Sequence, residues 1–315
     1  MKVRNLRTLV TGGAGFIGSH LVARLLGEGY EVVALDDFSS GQVGNIQNHL
    51  DHPSFHLARC DVRNLDDVSK AIKDVDAVFH LAAIVNVPQS IENPLLVNDV
   101  NVSGTLSLLK ASLKENIKKF TYVSSCAVYG EACCLPINEE HPIRPLSPYG
   151  LSKFAAEYYC KLFHEIHGLK TVCLRFFNVY GPRQPAGPYS GVITQFASRL
   201  RRGEPPIIYG DGEQTRDFIY VKDAVEANML VLQNPRCSGE TVNIGTGKPT
   251  TINDLAKVLM EMSGRTDMKP VYNTYRTGDI KESYADIRKA EKVLGYKPRI
   301  TLREGVRKLL HEEEE

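Results

Sequence analysis

The chain lacks several features, and each absence narrows what it does. There is no surplus of charge: 38 Lys and Arg stand against 37 Asp and Glu over 315 residues, a net +1. A near-neutral chain has no basic field for nucleic acid or for an anionic membrane. An anionic small molecule would have to be caught by a few placed groups. No apolar run approaches the length needed to span a bilayer, and the start, Met1-Lys2-Val3-Arg4, lacks the apolar core of a secretory signal. The seven cysteines form no CxxC pair, and adjacent Cys133-Cys134 does not have zinc-site spacing. His164 and His167 lack a third ligand nearby in sequence. The expectation is free thiols in a reducing cytoplasm and no metal. Internal repeats and low-complexity linkers are also missing.

What is present alternates. Short apolar runs at Thr8–Val10, Glu31–Leu35, Phe55–Arg59, Ala77–Leu81, Lys119–Ser124 and Thr171–Phe176 read as buried strands. Between them, Phe16–Glu28, Leu65–Lys73 and Asn98–Asn116 read as helices. The pattern predicts an α/β fold, a Rossmann-type doubly wound parallel sheet over residues 1–180. After Gly181, Gly-Pro and Pro-Pro pairs punctuate the chain. A smaller α/β lobe for substrate is expected over 181–315, with Thr241–Ile244 returning to the first sheet.

Gly12, Gly15 and Gly18 lie between the first strand and the first helix. Glycines there permit a tight turn and close approach of a pyrophosphate to the unpaired N–H groups of the helix start. Asp36 ends the second strand, 18 residues after Gly18, about where a carboxylate receives the adenosine ribose. A carboxylate repels a 2′-phosphate, so NAD is expected over NADP. Asp61 follows the third strand and is placed either to accept from the adenine amino group or to cap a turn.

Tyr149 and Lys153 are four apart and fall on one helix face. Ser124 and Ser125 end a strand, above the sheet edge. These groups make a base with helpers. A tyrosine of reference pKa about 10 needs roughly 4 kcal/mol of differential stabilisation to ionise near neutrality. A Lys ammonium and an oxidised nicotinamide, each ~5 Å away, would supply about 3 kcal/mol apiece at an effective dielectric of ~20.

The ordered motifs TGGAGFIG (11–18), DDFSSG (36–41), LAA (81–83), SSCAVYG (124–130), YGLSK (149–153), RFFNVYGPRQ (175–184), YGDGEQTRDFIYVKD (209–223), NIGTG (243–247) and RTGDIKESYAD (276–286) resemble the extended short-chain dehydrogenase/reductase family. Within it they resemble the UDP-glucose 4-epimerases. The resemblance implies Ser125 as catalytic hydroxyl, Tyr149 as base and Lys153 as its helper, with Ser125 and Tyr149 also touching substrate. It implies tightly held NAD against Phe16, Ile17, the Asp36, Asp37, Phe38, Ser39, Ser40 and Gly41 loop, Asp61, Val62, Leu81, Ala82, Ala83, Asn101, Ser124 and Phe177. For a UDP-sugar it implies Asn178, Val192, Ile193, Ile208, Tyr209, Arg216, Arg276, Asp279 and Ser283. Arg216 and Arg276 are the expected pyrophosphate clamps.

The family also holds dehydratases and decarboxylases, which carry acidic residues after the catalytic hydroxyl. Cys126 and Ala127 stand there in this chain, which leaves the minimal machinery of a 4-epimerase. Ser283 matches a position where a bulky Tyr accompanies restriction to UDP-glucose and UDP-galactose. A small residue there implies acceptance of UDP-GlcNAc and UDP-GalNAc as well. A homodimer through a four-helix bundle of 98–116 and 150–167 is also implied. The rival readings are a UDP-glucuronate epimerase, a net oxidoreductase and a dinucleotide-sensing scaffold. Cys126, beside Ser125, is expected to confer sensitivity to thiol reagents.

Overall fold

In the computed structural model, which describes residues 6–185, 187, 190–275 and 279–311, the first apolar run becomes β1 (Arg7–Thr11). It leads to α1 (Phe16–Gly27), β2 (Glu31–Asp36), β3 (Phe55–Arg59), α2 (Leu65–Ala71) and β4 (Ala77–His80). The Asn64 side chain accepts the Asp66 and Asp67 N–H groups and so starts α2. Two short helices follow, α3 (Val87–Glu92) and α4 (Pro94–Asn98), then α5 (Gly104–Lys114) and β5 (Lys119–Ser125). The single helix expected over 98–116 is interrupted: Asp99–Ser103 is a π turn. Such widened turns are rare and often mark functional positions. This one carries Asn101.

α6 (Pro148–His167) is bounded by strong local signals. Ser147 caps it by accepting from Gly150 N, Pro148 opens it, and Gly168 ends it in the left-handed conformation. β6 (Thr171–Phe176), β7 (Asn178–Tyr180), α7 (Val192–Arg201), β8 (Ile207–Tyr209), β9 (Thr215–Arg216), β10 (Phe218–Tyr220), α8 (Val221–Gln233) and β11 (Thr241–Ile244) come next. The chain closes with β12 (Thr250–Thr251), α9 (Ile252–Met262), β13 (Val271–Asn273), β14 (Glu282–Ser283), α10 (Arg288–Leu294) and α11 (Leu302–His311).

Seven strands form one sheet in the order β11-β6-β5-β4-β1-β2-β3. Every pairing in it is parallel. Period-two alternation sorts its side chains. Leu9, Val33 and Leu35 pack with Leu108 and Leu109 of α5 and Ala156 and Cys160 of α6. Val10, Val32 and Ala34 pack instead with Leu21 and Leu25 of α1 and Val225 and Met229 of α8. Helices therefore cover both faces. Each fully buried Leu contributes roughly 1.5–3 kcal/mol, which holds α5 and α1 in place. The strand order reverses between β4 and β1, and ligands bind beyond strand ends at such a switch. A second core gathers Phe196 and Leu200 of α7, Leu255 and Leu259 of α9, and Val306 of α11. The described residues include no helix long and apolar enough to cross a membrane.

Candidate active site

The turn after β1 is built for close approach. Gly12 has φ +68°, and a Cβ there would stand 3.0 Å from Ala82 N. A Cβ on Gly18 would overlap the Gly12 carbonyl, so α1 sits against the turn. Gly15 caps α1 without any side-chain hydrogen bond. The helix start thus keeps its N–H groups, from Phe16 and Ile17 onward, for an anion.

Asp36 is buried, and burial raises its pKa while backbone N–H groups oppose the rise. Its Oδ2 accepts Ala14 N and its Oδ1 accepts Phe38 N, both at 2.9 Å. Gly41 is needed beside it, because a Cβ would come within 2.6 Å of Oδ1. Asp37 accepts both the N–H and the hydroxyl of Ser39, so it shapes the Phe38–Ser40 loop. Asp61 is engaged by Arg63, whose Nε reaches both carboxylate oxygens at 3.0 Å. The turn-holding role thus has a partner in the fold, and both oxygens are occupied by it. Val62 is buried at the edge of α5, where it meets Gly104.

Behind the cradle runs a network that the sequence did not disclose. The Thr11 hydroxyl accepts the N–H groups of Leu81 and Ala82, each at 3.1 Å, and lies 2.7 Å from His80 Nδ1. Thr105 donates to Asn101 O at 2.6 Å, so it accepts from His80 Nε2 at 2.9 Å. The imidazole is therefore the neutral Nε2–H tautomer, with Nδ1 accepting from Thr11. Burial lowers its pKa to about 3. Asn101 accepts Ile84 N and donates to Ile84 O and Ser152 Oγ. It thereby ties the segment after Ala83 to α6.

Ser125 stands at the end of β5, where its Oγ accepts Ala127 N at 3.1 Å. Tyr149 and Lys153 lie one turn apart on α6 and are both buried. Burial pushes the Tyr149 phenol up to about 12, and a hydrogen bond with Ser125 opposes that rise. Burial lowers Lys153 to about 8. Its Nζ lies 4.6 Å from the centre of the Tyr122 ring, and no described residue accepts a hydrogen bond from it. Its three donors are left for a ligand. Burial thus works against ionisation of the phenol, and the positive charges of Lys153 and an oxidised nicotinamide must oppose it.

Ser124 points the other way, as alternation on a strand requires. Its hydroxyl donates to Glu157 Oε2 at 2.8 Å, which leaves only its backbone facing any cofactor. Glu157 is also held by Arg175 through Nε at 3.0 Å and NH2 at 2.5 Å. Arg175 NH1 continues to the Tyr129 hydroxyl, and that hydroxyl donates to Asn243. This buried chain links α6, β5, β6 and β11 behind Tyr149 and Lys153. Cys126 is half-buried, and burial raises its thiol to about 11. It stays neutral near pH 7, which argues against the expected thiol-reagent sensitivity.

A cavity of ≈ 200 Å³ lies in the smaller lobe and is lined by Asn178, Val192, Tyr209, Arg216 and Asp279. All five were expected there. Ile193 and Ile208 were also expected, but both are buried in the lobe core. Ile207 lines the cavity instead, because neighbours on a strand face opposite ways. Val192 and Ile193 open α7 rather than lie in a loop. Gln195 and Gln214 join the lining; Gln214 falls inside the 209–223 motif, whereas no motif marks Gln195. Asn178 Oδ1 and Gln214 Oε1 are buried with no hydrogen-bond partner among the described residues. Arg216 NH2 pairs with Asp279 Oδ1 at 2.5 Å. Ser283 is buried in register beside Arg216, and Phe177 is buried where β6 meets β11. Arg276 lies outside the described residues.

Cradle, base and polar cavity define a nucleotide-sugar enzyme of the short-chain dehydrogenase/reductase class, and the cradle fits NAD. The sequence matches the GDP-mannose 4,6 dehydratase family over residues 9–309, and the chain belongs to that family. A putative UDP-glucose 4-epimerase of Methanocaldococcus jannaschii is 44% identical over 305 residues, 96% of this chain and 97% of the relative. A UDP-N-acetylglucosamine 4-epimerase from Methanobrevibacter ruminantium M1, solved with UDP-N-acetylmuramic acid, superposes with a TM-score of 0.93 at 41% identity, covering 98% of each chain. A UDP-glucuronic acid 4-epimerase from Bacillus cereus, solved with UDP-glucuronic acid and NAD, gives 0.89 at 35% identity over 97% of this chain and 98% of that one.

Proposed function

We propose that this protein is an NAD-dependent UDP-hexose 4-epimerase acting on UDP-glucose and UDP-galactose, and also on the N-acetylated pair. The carrying observation is a complete Ser125, Tyr149 and Lys153 set beside the glycine cradle, with no carboxylate in the 126–128 turn. NAD, when bound, supplies the hydride acceptor and donor. Tyr149, helped by Ser125, takes the proton from the C4 hydroxyl, and later returns one on the other face. Lys153 stabilises the phenolate and orients the cofactor ribose. Arg216 and Asn178 hold the diphosphate and Asp279 the nucleoside ribose, while the sugar turns between the two steps. The small Ser283 next to Arg216 supports acceptance of a 2-acetamido group.

Purified protein without added cofactor, given UDP-glucose and UDP-GlcNAc separately, should form the C4 epimer of each by proton NMR. Tyr149→Phe should retain NAD and lose turnover. Near-normal turnover in that variant would remove Tyr149 from its role. The exposed apolar Leu151, Tyr158 and Ile166 of α6 support the homodimer proposed through α5 and α6, which light scattering tests as a mass of two chains.

A further inference from the structure

Between the strand that carries Ser125 and the helix that carries Tyr149, the chain passes through a loop holding Cys133, Cys134 and His141. One ligating atom of each lies within 4.8 Å of the others. Cys133 Sγ is 3.3 Å from His141 Nε2. The two thiols are exposed, and the imidazole is buried. Around a tetrahedral ion with metal–sulfur bonds of about 2.3 Å and metal–nitrogen bonds of about 2.0–2.1 Å, neighbouring donors stand about 3.6–3.8 Å apart. The cluster needs only small side-chain movements to reach that spacing.

The imidazole is already oriented for ligation. His141 Nδ1 lies 2.9 Å from the Pro142 carbonyl, and a proton there leaves the Nε2 lone pair facing the thiols. The ring is also packed edge-on against buried Tyr129, with centroids 5.5 Å apart. Nε2 currently accepts the Cys133 backbone N–H at 3.0 Å. An ion would take that lone pair, and the N–H of this exposed residue would turn to water. Cysteine spacing alone misses the site, because the third donor arrives eight residues later through the fold of the loop.

We propose that Cys133, Cys134 and His141 form a binding site for a thiophilic divalent cation of the zinc class, separate from the catalytic centre, with water as fourth ligand. Two soft thiolates and one imidazole select such ions over magnesium or calcium. Binding releases the two thiol protons to solvent, and the thiolates balance the ion's charge. The site would clamp the start of the loop to its end. The same loop grips the 281–286 segment: Glu131 accepts Lys281 N, Ile137 N donates to Tyr284 O, and Asp286 N donates to Ile137 O. The clamp would thereby steady the segment that carries Ser283.

The test uses full-length protein kept in a phosphine reductant, so that the adjacent thiols cannot join as a disulfide. Zinc is titrated against a chromophoric chelator, and cadmium is used to read thiolate charge-transfer absorption. The expected result is one equivalent bound with a thiolate signature, weakened by at least roughly tenfold in Cys133→Ser and in Cys134→Ser. Zinc should raise the melting temperature of the wild type but not of Cys134→Ser. Metal-free Cys134→Ser should match wild type in melting temperature and epimerase activity, since its side chain is exposed. Absence of the thiolate signature at stoichiometric cadmium, or wild-type zinc affinity in both serine variants, would overturn the site.

Discussion

Lys153→Met probes the energetics of the base most sharply. Burial places the Tyr149 phenol at about 12 before ligands bind. Half-ionisation near pH 7 therefore requires about 7 kcal/mol at 1.36 kcal/mol per pH unit. A unit positive charge ~5 Å away contributes about 3.3 kcal/mol at an effective dielectric of ~20. The Lys153 ammonium and the oxidised nicotinamide together reach about 6.6 kcal/mol, close to the requirement. Lys153 is itself lowered to about 8, so it is charged at neutral pH. Removing it should move the ascending limb of the pH–rate profile about 2.4 pH units upward, and the rate at pH 7, where the wild-type phenol is about half ionised, should fall roughly 150-fold. Higher pH favours the phenolate, so the lost rate should return as pH rises. The assay is single-turnover epimerisation at saturating substrate, with the NAD content of the variant verified. An unmoved limb with only a lower plateau would refute the electrostatic role and leave Lys153 as a ribose ligand.

Neutral His80, lowered to about 3 by burial, makes a pH prediction with a definite sign. The unfolded chain binds its proton near pH 6.5 and the folded one only near 3, so stability falls as pH drops through that window, by up to about 4–5 kcal/mol. Urea unfolding at several pH values should show His80→Asn approaching wild-type stability as pH falls; a constant difference would contradict this. Glu157→Gln removes the carboxylate that pairs with buried Arg175, and should cost about 3–5 kcal/mol in urea unfolding. Ser283→Tyr should lower activity on UDP-GlcNAc and UDP-GalNAc far more than on UDP-glucose, measured as kcat/KM; equal losses would mean that other walls set the sugar.

Features encoded locally could be read from the chain. The glycine turn, Asp36 at the end of β2 and the Tyr149–Lys153 spacing are all short-range, and the structure puts them on the elements that the sequence pattern predicts. The buttressing was hidden, because His80 meets Thr11 and Thr105, and Glu157 meets Ser124 and Arg175, across elements far apart in sequence. Ser124 and Ser125 read alike in sequence, yet strand alternation sends one inward and the other to the site. The same one-residue periodicity moved the cavity lining from Ile208 to Ile207. The break at Asp99–Ser103 escaped because its apolar spacing still fits a helix, while Asn101 binds Ile84 and Ser152.

In the proposed reaction one hydride leaves C4 and returns to the same carbon within one binding event. Epimerisation of UDP-glucose labelled with deuterium at C4, in the presence of added unlabelled NAD and NADH, tests it directly by NMR. The expected product is UDP-galactose with deuterium retained at C4. Loss of the label from the product, or its appearance in free NADH, would contradict it.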